Sequence, residues 1–425
     1  MLKRVSLILV GVLMASLIVG LESIGFAAEK KIVLWHIQTT EPATSIIADS
    51  AARFEKDHPG VKVEVVPIQN DPYKVKIKVA MGAGTPPDVW ISWGGGPLEQ
   101  YVRAGQVLDL TPYLKKDNWI NRFIPAGLDL AKFNGKYYGI PVENMSAAFI
   151  WYNKKTFNDV GVGVPQTYDE LLQIVKKLKS KGVIPISLAN KTKWPGSMWY
   201  MYLVDRLGSE TVFENAVNRT GSFEDPVFIK AGEEIRRLVG MGAFPPGFNG
   251  MDWDTGQSRM LLYTGKAGME LMGSWLYATA QGEAPQFAKN IDFFPFPVLT
   301  HGKGDPTNLI GTPGDNYYSV SAVSKYKDEA VELIKYIIDD TAVEKRLAAG
   351  RIPPVKGIKL TDPILQRVHS AFAKAHHVQL WYDQYLPPEL GEVHKDTCQA
   401  IFGGAMTPEQ AAKEMEKAAG KFWGK

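Results

Sequence analysis

Hydrophobic positions near the start of the chain follow strand and helix periods in turn. The pattern predicts three strands, at residues 31–36, 61–65 and 88–92. A helix with Ile47, Ala51 and Phe54 on one face separates the first two strands, and a helix over residues 73–81 separates the second and third. Alternation of strand and helix is typical of a parallel sheet covered by helices. The first part of the chain is therefore predicted to be an α/β unit.

A second series of elements follows. The pattern predicts strands at residues 138–141, 147–152, 267–271, 291–297 and 317–320, and helices beginning near residues 167, 225 and 327. Thr167 and Glu170 form a capping box, and Thr341–Glu344 and Thr407–Gln410 have the same form. Because no Pro- or Ser-rich linker separates the halves, we expect them to be joined by strand crossings at about residues 141–147 and 305–317.

Composition restricts the class of protein. The 425 residues suggest about two domains, and 45% hydrophobic with 22% charged residues is an ordinary folded composition, which excludes disorder and a multi-span membrane protein. A net charge of +3 argues against a nucleic-acid partner. The single cysteine, Cys398, excludes an intrachain disulfide and any multi-Cys metal site, and we expect it to be buried.

The N-terminus predicts an export signal. Lys3 and Arg4 precede an apolar run over residues 5–21, and Gly25-Phe26-Ala27 offers small residues for cleavage after position 27. The alternative interpretation is a retained membrane anchor, since the run is only just too short to span a bilayer. The only cysteine, Cys398, lies far beyond the apolar run, so a lipoprotein is not predicted. We expect a periplasmic or other extracytoplasmic location.

Chemical motifs for metals, cofactors or covalent catalysis are weak. His376 and His377 are adjacent and would point apart on a helix, so no metal is predicted, and the Gly-rich loops match no cofactor fingerprint. A glycosidase needs two nearby carboxylates, and Glu143 and Asp315 at predicted strand ends are the acids to test. With 45 acidic residues some pair always exists, so the sequence neither excludes nor supports this chemistry.

Tryptophan is the strongest signal. Of the 11 Trp, several stand beside predicted loops, namely Trp93, Trp194, Trp199, Trp253, Trp275 and Trp381. A sugar ring has an apolar C–H face that an aromatic ring covers, and a hydroxyl rim that polar side chains bind. The alternative is that these side chains pack in the core or between domains, because Trp is highly buried on average. Trp90 and Trp151, within predicted strands, are expected in the core.

Several motifs in order resemble a known family. They are Gly84-Thr-Pro-Pro-Asp-Val89, Gly135-Lys-Tyr-Tyr-Gly-Ile-Pro141, Pro165-Gln-Thr-Tyr-Asp-Glu170 and the Gly265-to-Trp275 segment. Together they resemble the extracellular solute-binding proteins of ABC importers, in the family 1 carbohydrate-binding branch that includes maltose-binding protein. Nearly the whole chain is covered.

The resemblance implies an α/β fold of the two-lobed periplasmic-binding-protein type (type II), with mixed sheets flanked by helices and a hinge between lobes. After a signal peptide at 1–27, it places lobe 1 at residues 28–142 with a return at 309–355, lobe 2 at 143–308, and C-terminal helices at 356–425. Ligand would close the lobes. A monomer that binds a sugar and delivers it to membrane permease subunits, without catalysis, cofactor or metal, is the implied function.

The resemblance also implies site residues. Trp275 takes the place of the family's stacking Trp, Trp381 that of a second, and Glu143, next to Asn144, that of an acid at the first crossing. The loop after the first strand supplies polar contacts, and further candidates lie in variable loops or at a strand end; these residues are Gln38, Thr39, Glu41, Trp93, Trp194, Trp199, Trp253, Asp315 and Arg351. The loop lacks the Asp-Lys pair of maltose-binding protein, so maltose is not implied.

Two other hypotheses stay open at this point. The same fold could bind a non-sugar solute (a polyamine, a ferric ion or an organic anion), which would require converging carboxylates or basic groups. A secreted carbohydrate enzyme using Glu143 and Asp315 would release product from a glycoside, whereas a binding protein would only show saturable binding.

Overall fold

The computed structural model describes residues 29–424, so the predicted signal peptide lies outside the described residues. The strands are β1 Lys30–His36, β2 Val61–Pro67, β3 Val89–Ser92, β4 Lys132–Phe133, β5 Lys136–Tyr137, β6 Ile140–Asn153, β7 Ile184–Ser187, β8 Ala267–Gly273, β9 Ile291–Phe294, β10 Leu309–Val320 and β11 Val378–Gln379. Within residues 29–424 no helix has the length and apolar character needed to cross a bilayer.

Helices connect and cover these strands. They are α1 Ala43–Asp57, α2 Asn70–Gly82, α3 Gly95–Arg103, α4 Thr111–Lys115, α5 Pro125–Asp129, α6 Lys154–Val160, α7 Tyr168–Ser180, α8 Trp194–Gly208, α9 Glu210–Val217, α10 Pro226–Gly240, α11 Gln257–Tyr263, α12 Trp275–Glu283, α13 Pro285–Ala288, α14 Lys327–Ile337, α15 Asp340–Ala348, α16 Pro363–Lys374, α17 Tyr382–Tyr385, α18 Pro388–Gly403 and α19 Pro408–Trp423. Short 3₁₀ segments occupy Lys116–Arg122 and Phe248–Gly250.

The main sheet is mixed. Its strand order is β2-β1-β3-β10-β6-β8-β7, with β11 beside β10 and β9 beside β6. β1 pairs in parallel with β2 and β3, as the alternating pattern predicts, whereas β10 runs antiparallel to both β3 and β6. The predicted fold class, mixed sheet flanked by helices, is confirmed.

Two long strands cross the centre of the molecule. β6 is one continuous strand of 14 residues, so the predicted pair of strands separated by Glu143 and Asn144 is wrong. The two polar side chains do not break the strand because both find buried hydrogen-bond partners. β10 pairs with β6, with register shifts on both sides of Asp315.

Two hydrophobic clusters form the cores on either side of these crossing strands. One draws on residues 32–142 and 317–355, and the other on residues 145–310 and 352–419, which include the C-terminal helices. We call these bodies lobe 1 and lobe 2. Trp90 and Trp151 are fully buried, one in each cluster, and Cys398 is buried in lobe 2, all as predicted. The residue boundaries of the lobes stay a prediction.

Helix starts test the capping predictions. Thr167 accepts a hydrogen bond from the backbone N–H of Glu170 at 3.2 Å, and Thr407 accepts one from Gln410 at 3.2 Å, so both capping boxes are confirmed.

The third capping box is wrong. Thr341 lies inside α15, and the cap is Asp339, whose carboxylate accepts from the backbone N–H of Ala342 at 2.8 Å. Asp is as good an N-cap acceptor as Thr, and this one stands two residues earlier. The helix therefore begins ahead of the predicted Thr.

Candidate functional site

A large cavity lies between the two lobes. Including its open mouth, the empty space amounts to about 1110 Å³, which is enough for a small molecule of several rings. Lobe 1 and the crossing strands contribute Gln38, Thr39, Lys74, Trp93, Asn144, Asp315, Asn316 and Arg351, and lobe 2 contributes Trp194, Trp253, Asp254, Arg259, Trp275, Trp381, Asp383 and Gln384.

Four tryptophans form a continuous wall on the lobe 2 side. The ring centroids are 5.7 Å apart from Trp253 to Trp194, 6.0 Å from Trp194 to Trp275, and 5.9 Å from Trp275 to Trp381. Neighbouring rings meet at 61–65°, so their faces turn in different directions along a concave surface. We call this row the Trp wall.

The Trp wall is built from the ends of secondary-structure elements. Trp194 is the first residue of α8 and Trp275 the first of α12, while Trp381 stands immediately before α17. Side chains at the first turn of a helix have no preceding turn to pack against. These indoles are therefore available to the cavity, and three of the four stay partly accessible while Trp381 is buried.

Trp93 supplies an aromatic surface from lobe 1. It follows β3 at the carboxyl edge of the sheet, where open α/β sheets bind ligands. The Lys74 ammonium lies 5.2 Å from the centre of its ring, and Tyr73 meets it edge-on at 6.0 Å. The cavity thus has indole side chains from both lobes.

Trp275 is held by its neighbours in sequence. Gly273 leaves the space that the ring fills, since a Cβ at this position would overlap the six-membered ring of Trp275. Between them, Ser274 donates its backbone N–H to Ala147 at 3.0 Å, and its hydroxyl accepts from Asn144 at 3.1 Å. The loop that carries the indole is therefore tied to the crossing strand β6.

Polar side chains form the lobe 1 surface of the cavity. Gln38 donates its amide to Asn316 at 2.9 Å, and Asn316 in turn donates its own amide to Asp315 at 2.9 Å. Burial raises the pKa of the Asp315 carboxyl, although the hydrogen bonds from Asn316 oppose the shift. Such fixed amides and carboxylates suit a ligand with several hydroxyl groups.

The basic side chains of the cavity have acidic partners. Arg259 donates to both oxygens of Glu283 at 2.6 and 2.7 Å, with its guanidinium 4.8 Å from the Trp253 ring. Lys74 pairs with Asp71 at 3.3 Å. The third base, Arg351, pairs with a buried glutamate at 3.1 Å. Pairing leaves no strong attraction for an anion.

Glu270 lies behind Arg259 and Trp253. It is fully buried and accepts a hydrogen bond from the Ser258 hydroxyl at 2.8 Å. Burial raises the pKa of its carboxyl to about 7. The native state therefore favours the protonated form, and the stability that this provides is present at low pH and lost as the pH rises from about 4.5 through 7.

Glu270→Gln is expected to remove this pH dependence. The unfolding free energy of the variant minus that of the unchanged protein should increase from pH 5 to pH 8, on the order of 3 kcal/mol, because the variant never buries an ionised carboxylate. Urea unfolding of both proteins at the two pH values measures the gain. If the two proteins differ in unfolding free energy by the same amount at pH 5 and pH 8, the raised pKa of Glu270 is contradicted.

The lobes touch at the rim of the cavity. The backbone N–H of Asp71, in the first turn of α2, donates to the Asp254 carboxylate of lobe 2 at 3.2 Å. Burial and then the nearby Asp71 charge raise the pKa of Asp254 to about 6. At a second contact a Cβ on Gly282 of α12 would overlap the carbonyl oxygen of Glu41.

The structure brings together most of the predicted site residues. The ones that line the cavity are Gln38, Thr39, Trp93, Asn144, Trp194, Trp253, Trp275, Asp315, Arg351 and Trp381. Glu41, Glu143 and Trp199 do not line it. Glu41 is exposed at the contact between the lobes, and Glu143 is buried beneath the cavity surface.

Trp199 is a core residue. It is fully buried, with ring centroids 6.1 Å from Phe244 and 5.6 Å from Phe296. Trp194 and Trp199 are five positions apart on α8, which turns their side chains about 140° away from each other. Trp194 and Trp199 therefore cannot both belong to the same wall of the cavity. Their spacing in the sequence was enough to predict this.

Other cavity residues were missed. Lys74, Asp254, Arg259, Asn316 and Gln384 line the cavity although no motif marks them. Two of them had a local signal, because Asp254 adjoins Trp253 and Asn316 adjoins Asp315. The others reach the cavity only through the packing of α2, α11 and α17.

Two lobes with an aromatic and polar cavity between them define a solute-binding protein of the maltose-binding-protein type. Residues 37–344 match the family described as bacterial extracellular solute-binding protein, and the chain belongs to this family. The family consists of binding proteins of ABC transporters, which are periplasmic or exported.

Two related sequences illustrate the family. The multiple sugar-binding protein of Streptococcus mutans is 25% identical over 394 residues, covering 87% of this chain and 88% of that protein. An ABC transporter extracellular-binding protein of Pyrococcus horikoshii is 29% identical over 256 residues, covering 58% of this chain and only 56% of that protein.

A solved structure is similar over nearly its whole length. It comes from work on xylan utilization by the thermophilic bacterium Caldanaerobius polysaccharolyticus and has a TM-score of 0.86 at 33% identity. The similarity covers 91% of this chain and 99% of that chain. At this identity and coverage it supports the family assignment as well as the fold.

Proposed function

We propose that this chain binds a neutral sugar or short oligosaccharide in the cavity between its lobes and delivers it to the permease of an ABC importer. The observation that carries the proposal is the Trp wall, which Trp93 faces from the other lobe. Indole faces cover the C–H face of a pyranose, and the Gln38, Asn316 and Asp315 side chains offer donors and acceptors to its hydroxyls.

The charges of the cavity support an uncharged ligand. Arg259 is paired with Glu283 and Lys74 with Asp71, so neither base is free to attract an organic anion. On the acidic side, Asp315 accepts hydrogen bonds from Asn316 and Asp254 accepts one from the backbone of α2. The lining contains three bases, Lys74, Arg259 and Arg351, and three acids, Asp254, Asp315 and Asp383, so neither sign of charge is in excess among the lining side chains for a polyamine or a carboxylate to recognise.

A secreted enzyme is disfavoured by the position of its proposed carboxylates. Glu143 is 2% exposed and bound by arginines, so it cannot reach a glycosidic oxygen in the cavity. Asp315 alone does not provide the acid and base pair that glycoside hydrolysis requires. We therefore propose binding without catalysis, by an exported monomer whose leader is cleaved after residue 27.

A thermal-shift and fluorescence screen tests the proposed ligand class. We expect xylotriose, chitobiose, maltotriose or galactose to stabilise residues 28–425, by about 2.7 kcal/mol at a concentration of 100 times Kd, with a saturable change in Trp emission. Spermidine, citrate and ferric citrate are the controls and should give no shift. Stabilisation by a control alone, or release of product from a glycoside, would overturn the proposal.

A further inference from the structure

Arg351 links the cavity to a buried charge cluster. Its side chain lines the cavity, yet is only 10% exposed. One guanidinium nitrogen donates to Glu143 at 3.1 Å, and within residues 29–424 this is the only hydrogen bond of its side chain. The guanidinium is therefore held at one end and available to a ligand at the other.

Glu143 lies behind Arg351 on the crossing strand β6. It also accepts two hydrogen bonds from Arg346 of α15, at 2.9 and 3.2 Å. Burial opposes ionisation, but Arg346 and then Arg351 outweigh it and lower the pKa of the Glu143 carboxyl. One carboxylate thus holds two guanidinium groups, of which only Arg351 reaches the cavity.

The surroundings of this pair contain one further acid, Asp315, and one histidine, His36. Asp315 is close enough to Arg351 for its charge to act on it, and its pKa is raised by burial. His36 is also buried in this cluster, where burial lowers its pKa to about 4, so it is neutral at pH 7. The ionised Glu143 carboxylate is shared by the guanidinium groups of Arg346 and Arg351, and Asp315 is the other acid beside them.

We propose that Glu143 is a positioning residue that sets the charge preference of the cavity, holding Arg351 in place and offsetting part of its charge so that neutral sugars are preferred over sugars that carry a carboxylate. This inference rests on the proposed function and extends it to the discrimination between neutral and uronic-acid sugars. Glu143 itself does not touch the ligand.

The physical reason is competition for one guanidinium. An arginine in a partly buried site binds a carboxylate strongly when no internal acid occupies it. While Glu143 is present, a uronate would have to approach a guanidinium that is already paired with a carboxylate and be desolvated without full compensation. Removing the Glu143 charge leaves the two guanidinium groups without the carboxylate that they share, which favours an incoming anion.

Glu143→Gln tests the charge preference directly. Dissociation constants are measured by calorimetry for xylotriose and for xylotriose substituted with glucuronic acid, and for galactose and galacturonic acid. For any of these sugar pairs that is bound, we expect the unchanged protein to bind the neutral sugar more tightly than the acidic one. In the variant, the ratio of the two dissociation constants should shift at least tenfold in favour of the acidic sugar. In the double variant with Arg351→Gln, the shift should disappear.

The matched control removes an equivalent charge elsewhere. Glu416 pairs with Arg219 and neither residue lines the cavity, so Glu416→Gln should leave both ratios unchanged. A folded Glu143→Gln variant with the ratio of the unchanged protein overturns the inference, as does an equal shift in the control.

A second variant serves if Glu143→Gln does not fold. Arg351→Gln keeps the bidentate pair of Glu143 with Arg346, so the buried cluster retains its main contact. We expect it to weaken binding of the neutral sugars about three- to tenfold by removing a cavity donor. Unchanged affinity for every sugar overturns the inference, whereas an unchanged protein that binds none of the sugars contradicts the proposed function itself.

Discussion

Replacing Trp275 with Ala is expected to weaken sugar binding by about 1–3 kcal/mol, a roughly 5- to 150-fold increase in Kd. Trp275 is central in the Trp wall, with Trp194 on one side and Trp381 on the other. Its removal deletes one stacking surface and also leaves the two neighbouring indoles without an edge to pack against. An aromatic anchor at the centre of a binding surface usually carries a large share of the affinity.

The measurement is a calorimetric titration with whichever sugar of the screen stabilises the protein. Trp423→Ala is the matched control, because it removes an indole from the end of α19, outside the cavity lining. It should leave Kd unchanged. If Trp275→Ala binds as tightly as the control while both remain folded, the Trp wall is not the stacking surface.

Local patterns were sufficient to predict the α/β unit at the start of the chain, whereas the two-lobed fold with mixed sheets followed only from the family resemblance. Strand and helix periods in residues 31–92 predict the parallel arrangement of β1, β2 and β3, because each element there buries its own apolar face. The capping boxes at Thr167 and Thr407 are likewise local, since donor and acceptor are three residues apart. Such features need no knowledge of distant parts of the chain.

The environment of Glu143 could not be predicted in this way. The glutamate adjoins the strand break that the sequence suggests, and its arginine partners stand 203 and 208 residues later in the chain. Only the return of β10 and α15 to lobe 1 brings them together. The hydrogen bond from the backbone of Asp71 to Asp254 at the cavity rim could not be predicted for the same reason, because the two residues are 183 positions apart in the chain.

The tryptophans include residues whose position in the cavity could be predicted from the sequence and one for which the prediction is wrong. Trp194, Trp253, Trp275 and Trp381 could be chosen because each stands beside a loop rather than on a periodic apolar face, and the structure places all four in one wall. The same rule predicts Trp199 for the site, yet this side chain lies in the core. Proximity to a loop is thus a useful signal only when the helical period agrees with it.

The crossing strand joins the cavity to the centre of the molecule. Asn144 holds Ser274 next to Trp275, while the preceding Glu143 holds Arg351. Successive strand residues point to opposite sides, so one strand positions an aromatic and a basic cavity group at once. The two polar residues that look like a strand break are therefore what connects the crossing region to the ligand surface.

Gly273→Ala is expected to weaken sugar binding by roughly 1 kcal/mol or more without touching the cavity itself. A Cβ at this position would overlap the Trp275 ring, so the indole must leave its place in the Trp wall. Overpacking of a buried position also costs about 1–3 kcal/mol of unfolding free energy. Kd and urea unfolding measured on the same variant report both effects.

A double-mutant cycle separates displacement of the ring from general damage. In the Trp275→Ala background the ring is absent, so Gly273→Ala has nothing to displace and should change Kd and stability by only a few tenths of a kcal/mol. The two single effects would then be strongly non-additive, as for residues in direct contact. If the losses of affinity and stability from the two substitutions are additive, Gly273→Ala acts through the backbone of β8. In that case the position of Trp275 does not depend on Gly273.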